Sequence, residues 1–128
     1  MEKSATQWML EPLHKYATFA GRASRSELWW FILFSVVLGM IVGGIDISIP
    51  GLRWLSSESP IGALGVLLSL AFFIPGLAVA VRRLHDLNKS GWWYFLGIIP
   101  VIGGLILLYW FVQRGTIGPN DYGPDPVA

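Results

Sequence analysis

The sequence predicts an all-α membrane protein: one membrane domain, a small bundle of about three transmembrane helices behind a short N-terminal amphipathic segment. Three observations predict it. Of the 128 residues, 54% are hydrophobic and 13% charged, the balance of a chain whose solvent is lipid. Three runs, 28–45, 61–81 and 92–112, hold no Asp, Glu, Lys, Arg or His, and each can cross a hydrocarbon core of about 30 Å as a helix. A charged hinge, Arg82 to Trp93, separates the last two runs.

In the N-terminal interfacial segment, 1–27, Met9, Leu13 and Tyr16 fall at helical spacing, and Pro12 suits the first turn of a helix starting near Glu11. Such a helix would lie on the membrane surface. A poorly ordered lead-in is the alternative, because so short a helix is marginal in water. The segment lacks the apolar core and cleavage site of a signal peptide. Gly21 ends it, and Ser24 with Glu27 forms a capping box ahead of the first apolar run.

The first span, 28–45, is about 27 Å long at 1.5 Å per residue, and Trp29 and Trp30 mark its interface. Its Leu, Ile, Phe and Val residues favour insertion by about 3 to 7 kcal/mol, whereas one central Arg would cost about 3, so the absence of charge decides the assignment. Gly39 and Gly43 allow close approach of another helix, within the chain or in a dimer; a small bundle needs close crossings, which favours the first. Asp46, Pro50, Gly51, Arg53, Trp54 and Glu58 then read as an exposed polar connection. Ser59-Pro60 opens the second span, 61–81, which Pro75 should kink. The helix runs on to Asp86, which can pair with Arg82 or Arg83 one turn back. Asn88 can end it, and Ser90 can cap the next.

The third run, 92–112, opens with Trp92, Trp93 and Tyr94 and closes with Tyr109 and Trp110, an aromatic belt at each end of one crossing. Pro100, Gly103 and Gly104 in its middle leave a broken or re-entrant course as the alternative, although so short a run cannot cross twice. The tail, 113–128, reads as turns outside the membrane.

Of nine Lys and Arg residues, those before the first span and in the hinge dominate, so the positive-inside rule puts the N-terminus and hinge in the cytoplasm. Three crossings would put the tail outside; a re-entrant third segment would return it to the cytoplasm. On the hinge side Arg22 and Arg25 can approach the end of the second helix, where Asp86 is the natural counterion.

A net charge of +1 argues against a nucleic-acid partner. The absence of Cys excludes disulfides, thiolate metal sites and a cysteine nucleophile. His85 beside Asp86 invites catalysis or metal binding, but the other histidine is His14, with neither ligand spacing nor a nucleophile and base around the pair. No catalytic, cofactor-binding or metal-binding residue is therefore assigned, and the chain is read as non-enzymatic. What remains is an Arg- and Trp-rich face, Arg22, Arg25, Arg82, Arg83, His85, Asp86, Lys89, Trp92 and Trp93, suited to anionic lipid headgroups or a protein partner. The plainer reading is that these residues only fix topology and depth. Membrane lipids are the expected partners, with a homo-oligomer or a membrane-protein partner also compatible. The second functional class is a small transporter or channel subunit built on the Pro-interrupted helices, against which stands the lack of intramembrane charge.

The chain also resembles a bacterial inner-membrane family catalogued as domain of unknown function 805. The resemblance rests on Gly21, Arg22 and Arg25; on Arg82 to Asp86; on Ser90 to Trp93; and on Asn120, Tyr122 and Gly123. Leu87-Asn88 departs from the family's more glycine-like turn. The resemblance implies a small multi-pass inner-membrane protein of a family without an established activity.

Overall fold

The structure, a computed structural model, describes residues 3–49 and 62–126. Among them are α1 (Ala5–His14), α2 (Arg25–Ser48), α3 (Ala63–Asp86), a 3-10 helix (Gly91–Ile98) and α4 (Ile102–Val112). The all-α class holds, with α2 and α3 long and apolar enough to span a bilayer.

Helix α1 begins well before Glu11. Its start is a capping box rather than Pro12: Gln7 N–H donates to Ser4 Oγ (3.3 Å), and Ser4 N–H donates to Gln7 Oε1 (2.8 Å). Pro12 sits buried in the last turn. Glu11 pairs with Lys3 at 3.2 Å and Lys15 at 3.1 Å. Such part-exposed pairs contribute under about 1 kcal/mol each, so packing on α2 is what fixes α1.

Helix α2 overruns the uncharged run at both ends. At its start Glu27 N–H donates to Ser24 Oγ (3.2 Å), but the Glu27 carboxylate does not complete a capping box; it turns to Arg82 on α3. At its far end Asp46 is not in an exposed loop. It is 1% exposed, within the last turn of α2, and its carboxylate accepts from Leu64 N–H (3.1 Å) and Gly65 N–H (2.7 Å). The N-cap of α3, Gly62, offers no side chain, so Asp46 satisfies the orphan donors from the neighbouring helix. A Cβ on Gly62 would lie 2.5 Å from Asp46 Cγ, which is why this position has none. The expected start at Ser59-Pro60 and the loop residues from Pro50 to Glu58 lie outside the described residues. Asp46→Ala is expected to cost about 1 to 2 kcal/mol, the upper range for a lost cap, in a denaturant titration in detergent. Unchanged stability would remove Asp46 as the cap.

The two helices run antiparallel, tied by Asp46 at one end and by Glu27–Arg82 at the hinge end. Between the ties Phe31, Phe34 and Phe72 stack, with centroids 5.6 and 6.0 Å apart. Ala23, Leu28, Phe31 and Val79 form the buried core nearby. Rings of that size preclude a backbone-to-backbone crossing, and a Cβ on Gly39 or Gly43 would meet nothing within 4 Å. Among the described residues nothing packs against the Gly pair. Pro75 lies inside α3, which continues past it. The proline lacks the N–H that would bond Ala71 C=O, and Tyr16 O–H donates to that carbonyl instead (2.7 Å).

The third apolar run does not cross as one helix. The 3-10 helix descends from the hinge, the chain turns at Pro100 and Val101 (φ 63°), and α4 returns. At about 2.0 and 1.5 Å per residue both arms measure about 16 Å, half of a hydrocarbon core of about 30 Å. The two arms fold back on each other as a helical hairpin, each too short to cross alone. Trp93 and Trp110, expected at opposite interfaces, instead meet edge-to-face at 5.9 Å, with Lys89 Nζ 4.6 Å from the Trp110 ring. A Cβ on Gly103 would lie 1.6 Å from Leu96 C=O, so the arms close only because this residue is glycine. Trp29 Nε1–H donates to Phe111 C=O (3.1 Å), seating α4 on α2.

Candidate functional site at the hinge end

The end of α3 is shaped by its sequence. Asn88 takes the left-handed conformation (φ 59°), with Asn88 N–H on His85 C=O (2.9 Å) and Lys89 N–H on Leu84 C=O (2.9 Å). This is a Schellman closure, with Asn88 filling the role usual for glycine. It turns the chain into Ser90, whose Oγ accepts from Trp92 N–H (3.3 Å) to start the hairpin.

Around that closure lies a buried charged cluster. Arg82, Arg83 and Arg22 are 1%, 0% and 6% exposed, and Glu27 and Asp86 are 2% and 4%. Arg82 donates to Glu27 Oε2 (2.5 Å) and Thr18 C=O (3.0 Å). Asp86 is shared: Arg22 Nε donates to its Oδ1 (2.9 Å), while Arg83 pairs with its Oδ2. Arg82, expected as a partner of Asp86, does not reach it.

The surplus cation is neutralised by carbonyl dipoles of the tail. Arg22 donates to Thr116 C=O (2.5 Å), Gly118 C=O (2.6 Å) and Gly123 C=O (3.2 Å), and Arg83 to Gln113 C=O. Thr116 N–H returns a bond to Asp86 C=O (2.8 Å), and the Asn120 side-chain amide donates to His85 C=O (2.9 Å). His85 Nδ1–H donates to Gly21 C=O (2.9 Å), and its ring stacks on Tyr122 with centroids 4.1 Å apart. The tail thus folds back onto the hinge, at the end of the bundle opposite to that expected for three crossings. The hairpin is the reason, since it returns the chain to the end it left.

The structure therefore divides the Arg/Trp face. Arg22, Arg82, Arg83 and Asp86 are brought together in the interior, nearly all of their surface enclosed. Arg25 is exposed, with Nη1 3.3 Å from Val112 C=O, as are Trp92 and Trp93; Lys89 and His85 are half-buried. Asp86 points at arginines rather than at His85. No group of three His, Asp or Glu among the described residues could hold a metal.

Sequence reasoning missed Ser26, Arg114 and Thr116, which with Arg25 line a polar cleft of about 200 Å³ at the start of α2. Asp86 and Asp125 also border it; Asp125 accepts from Gly118 N–H (2.9 Å). Arg25 and Ser26 are shared with an apolar groove of about 490 Å³ that continues along Trp30, Leu33 and Val112. The role of Glu27 was also missed, although a carboxylate abutting an apolar span signals a need for a buried partner.

Two helices long and apolar enough to span a bilayer, a hinge and a helical hairpin together make the fold of a small helical membrane protein, held closed at one end by buried arginines. The model of the family of proteins of unknown function DUF805 matches residues 16–124, and the chain belongs to that family. Among its relatives, inner membrane protein YhaI of Escherichia coli (strain K12) is 46% identical over 120 residues, covering 94% of this chain and 95% of the relative. Inner membrane protein YhaH of the same strain is 40% identical over 119 residues, covering 93% and 95%. No solved structure matches the chain. The segments on which the resemblance rests, Gly21-Arg22, Arg82 to Asp86 and Asn120 to Gly123, meet in and around the buried cluster.

Proposed function

We propose that this protein is a non-enzymatic component of the bacterial inner membrane that binds an anionic lipid at the start of α2. The observation that carries this reading is that Arg25 and Ser26 belong at once to a polar cleft and to an apolar groove. A phosphate head can take the Arg25 and Arg114 guanidiniums, with hydroxyls from Ser26 and Thr116, while its chain follows Trp30 and Leu33. The buried cluster then acts as the frame that positions Arg25 and Arg114, not as the contact surface.

Native mass spectrometry of protein released gently from membranes tests it. Wild type is expected to retain phosphatidylglycerol over phosphatidylcholine, and Arg25→Gln with Arg114→Gln to lower that retention about tenfold, as for two lost exposed charge pairs of about 0.7 kcal/mol each. Equal retention of both lipids by wild type would refute the reading.

The proposed orientation places hinge, N-terminus and tail in the cytoplasm. Of nine Lys and Arg, only Arg53 lies in the connection between α2 and α3. A reporter active only in the cytoplasm should therefore work when fused after the tail and fail when inserted near Ser57. Activity at Ser57 alone would invert the orientation.

A transporter or channel subunit is the second reading, favoured by the helical hairpin, a device found where backbone leaves the helix at membrane depth. Solute flux dependent on the protein in sealed vesicles would support it over the first.

A further inference from the structure

A second cleft, of about 880 Å³, lies between α3 and the descending arm of the hairpin, well within the size of ligand sites. Its floor is a stripe on α3 at four-residue steps, Phe73, Leu77, Val81 and His85, about 18 Å long at 1.5 Å per residue. That is roughly the depth of one leaflet of a bilayer with a core of about 30 Å. Trp92, Phe95 and Ile98 supply much of the facing wall.

The cleft is polarised along its length. His85 and Ser90 stand at the hinge end, Tyr94 shares the wall, and among the described residues no Asp, Glu, Lys or Arg lines it. His85 Nδ1 must carry hydrogen, because its partner Gly21 C=O only accepts, and in the Nδ1–H tautomer the other ring nitrogen, Nε2, is an acceptor. Ser90 Oγ accepts from Trp92 N–H and keeps its own O–H to donate. One acceptor and one donor at the mouth of an uncharged apolar slot complement a head that itself both donates and accepts. They do not compensate a phosphate, which would be desolvated there without a countercharge.

We propose that this cleft binds one acyl lipid with an uncharged hydroxyl head, of the diacylglycerol class, its chain along Phe73 to Val81 and its head at His85 and Ser90. The site is separate from the anionic cleft at Arg25, and either can fail without the other.

Tryptophan quenching by brominated lipids tests it, because Trp92 lines the slot. The signal lost in Trp92→Phe isolates that residue from the other tryptophans. In nanodiscs, brominated diacylglycerol is expected to reach half-maximal quenching of Trp92 at a mole fraction about tenfold below that of brominated phosphatidylcholine or phosphatidylglycerol, a preference of about 1.4 kcal/mol. Leu77→Phe, which fills the slot, should abolish that preference, and Ser90→Ala, which removes the donor, should reduce it severalfold. Equal midpoints for the three lipids would show annular lipid only and overturn the proposal, as would a lower midpoint for phosphatidylglycerol. A preference unchanged in both variants would overturn it too; should Leu77→Phe not fold, Ser90→Ala alone decides.

Discussion

Asp86→Asn is expected to destabilise the protein by about 3 to 5 kcal/mol, the range for removing one member of a buried ion pair, because it leaves Arg22 and Arg83 facing each other without a carboxylate. The size follows from burial. Arg83 and Arg22 are almost wholly enclosed, so water cannot take over what the carboxylate did. Arg22→Gln should cost less than Asp86→Asn, since Arg83 continues to compensate Asp86, although it also frees the carbonyls of Thr116, Gly118 and Gly123. The two changes share a site and should be non-additive by about 0.5 to 2 kcal/mol. A double-mutant cycle on thermal stability in anionic nanodiscs measures the coupling. Simple additivity would mean that Asp86 serves Arg83 alone.

Gly103→Ala should open the helical hairpin. The added methyl would fall 1.6 Å from a backbone oxygen of the facing arm, and backbone cannot step aside as a side-chain tip can. Forced separation of packed segments costs about 1 to 3 kcal/mol and sometimes more. Gly104→Ala is the control: its methyl meets nothing within 4 Å, so the variant should gain up to about 1 kcal/mol from helix propensity. The readout is the distance between spin labels at Ile98 and Leu105, which should lengthen in Gly103→Ala and stay fixed in Gly104→Ala. If both variants behave alike, the close approach at Leu96 is not what shapes the hairpin.

How much of this was legible in the sequence depends on the range of the interaction. α2 and α3 were visible because the uncharged runs within them are of a length that suits little besides the interior of a bilayer, and the Asn88 closure was visible because it is local. The third run misled because its length suits one crossing or two half-depth arms equally, and α4 is apolar all round, so periodicity carries no information. Pro100, Gly103 and Gly104 were the signal for the turn. Asp46 was read as loop because a carboxylate just past a run of glycines looks like an exit from lipid; only the position of α3 shows that it caps a helix from outside. The Arg22 contacts to the tail span nearly the whole chain, and nothing near Arg22 foretells them. In the candidate site, residue types were legible but exposure was not: the arginines nearest the hinge were the obvious headgroup ligands, and they are the ones the fold consumes.

The bonds from Arg22 to Gly118 and Gly123 also set an order of events during biosynthesis. Arg22 leaves the ribosome about a hundred residues before its last acceptors exist, and at 5 to 20 residues per second, typical of synthesis, that gap lasts roughly 5 to 20 seconds. Through that interval α2 and α3 can insert and pair, but the guanidinium must stay hydrated or borrow a lipid phosphate. A nascent chain halted at Gln113 would hold both long helices with the arginine still unsealed.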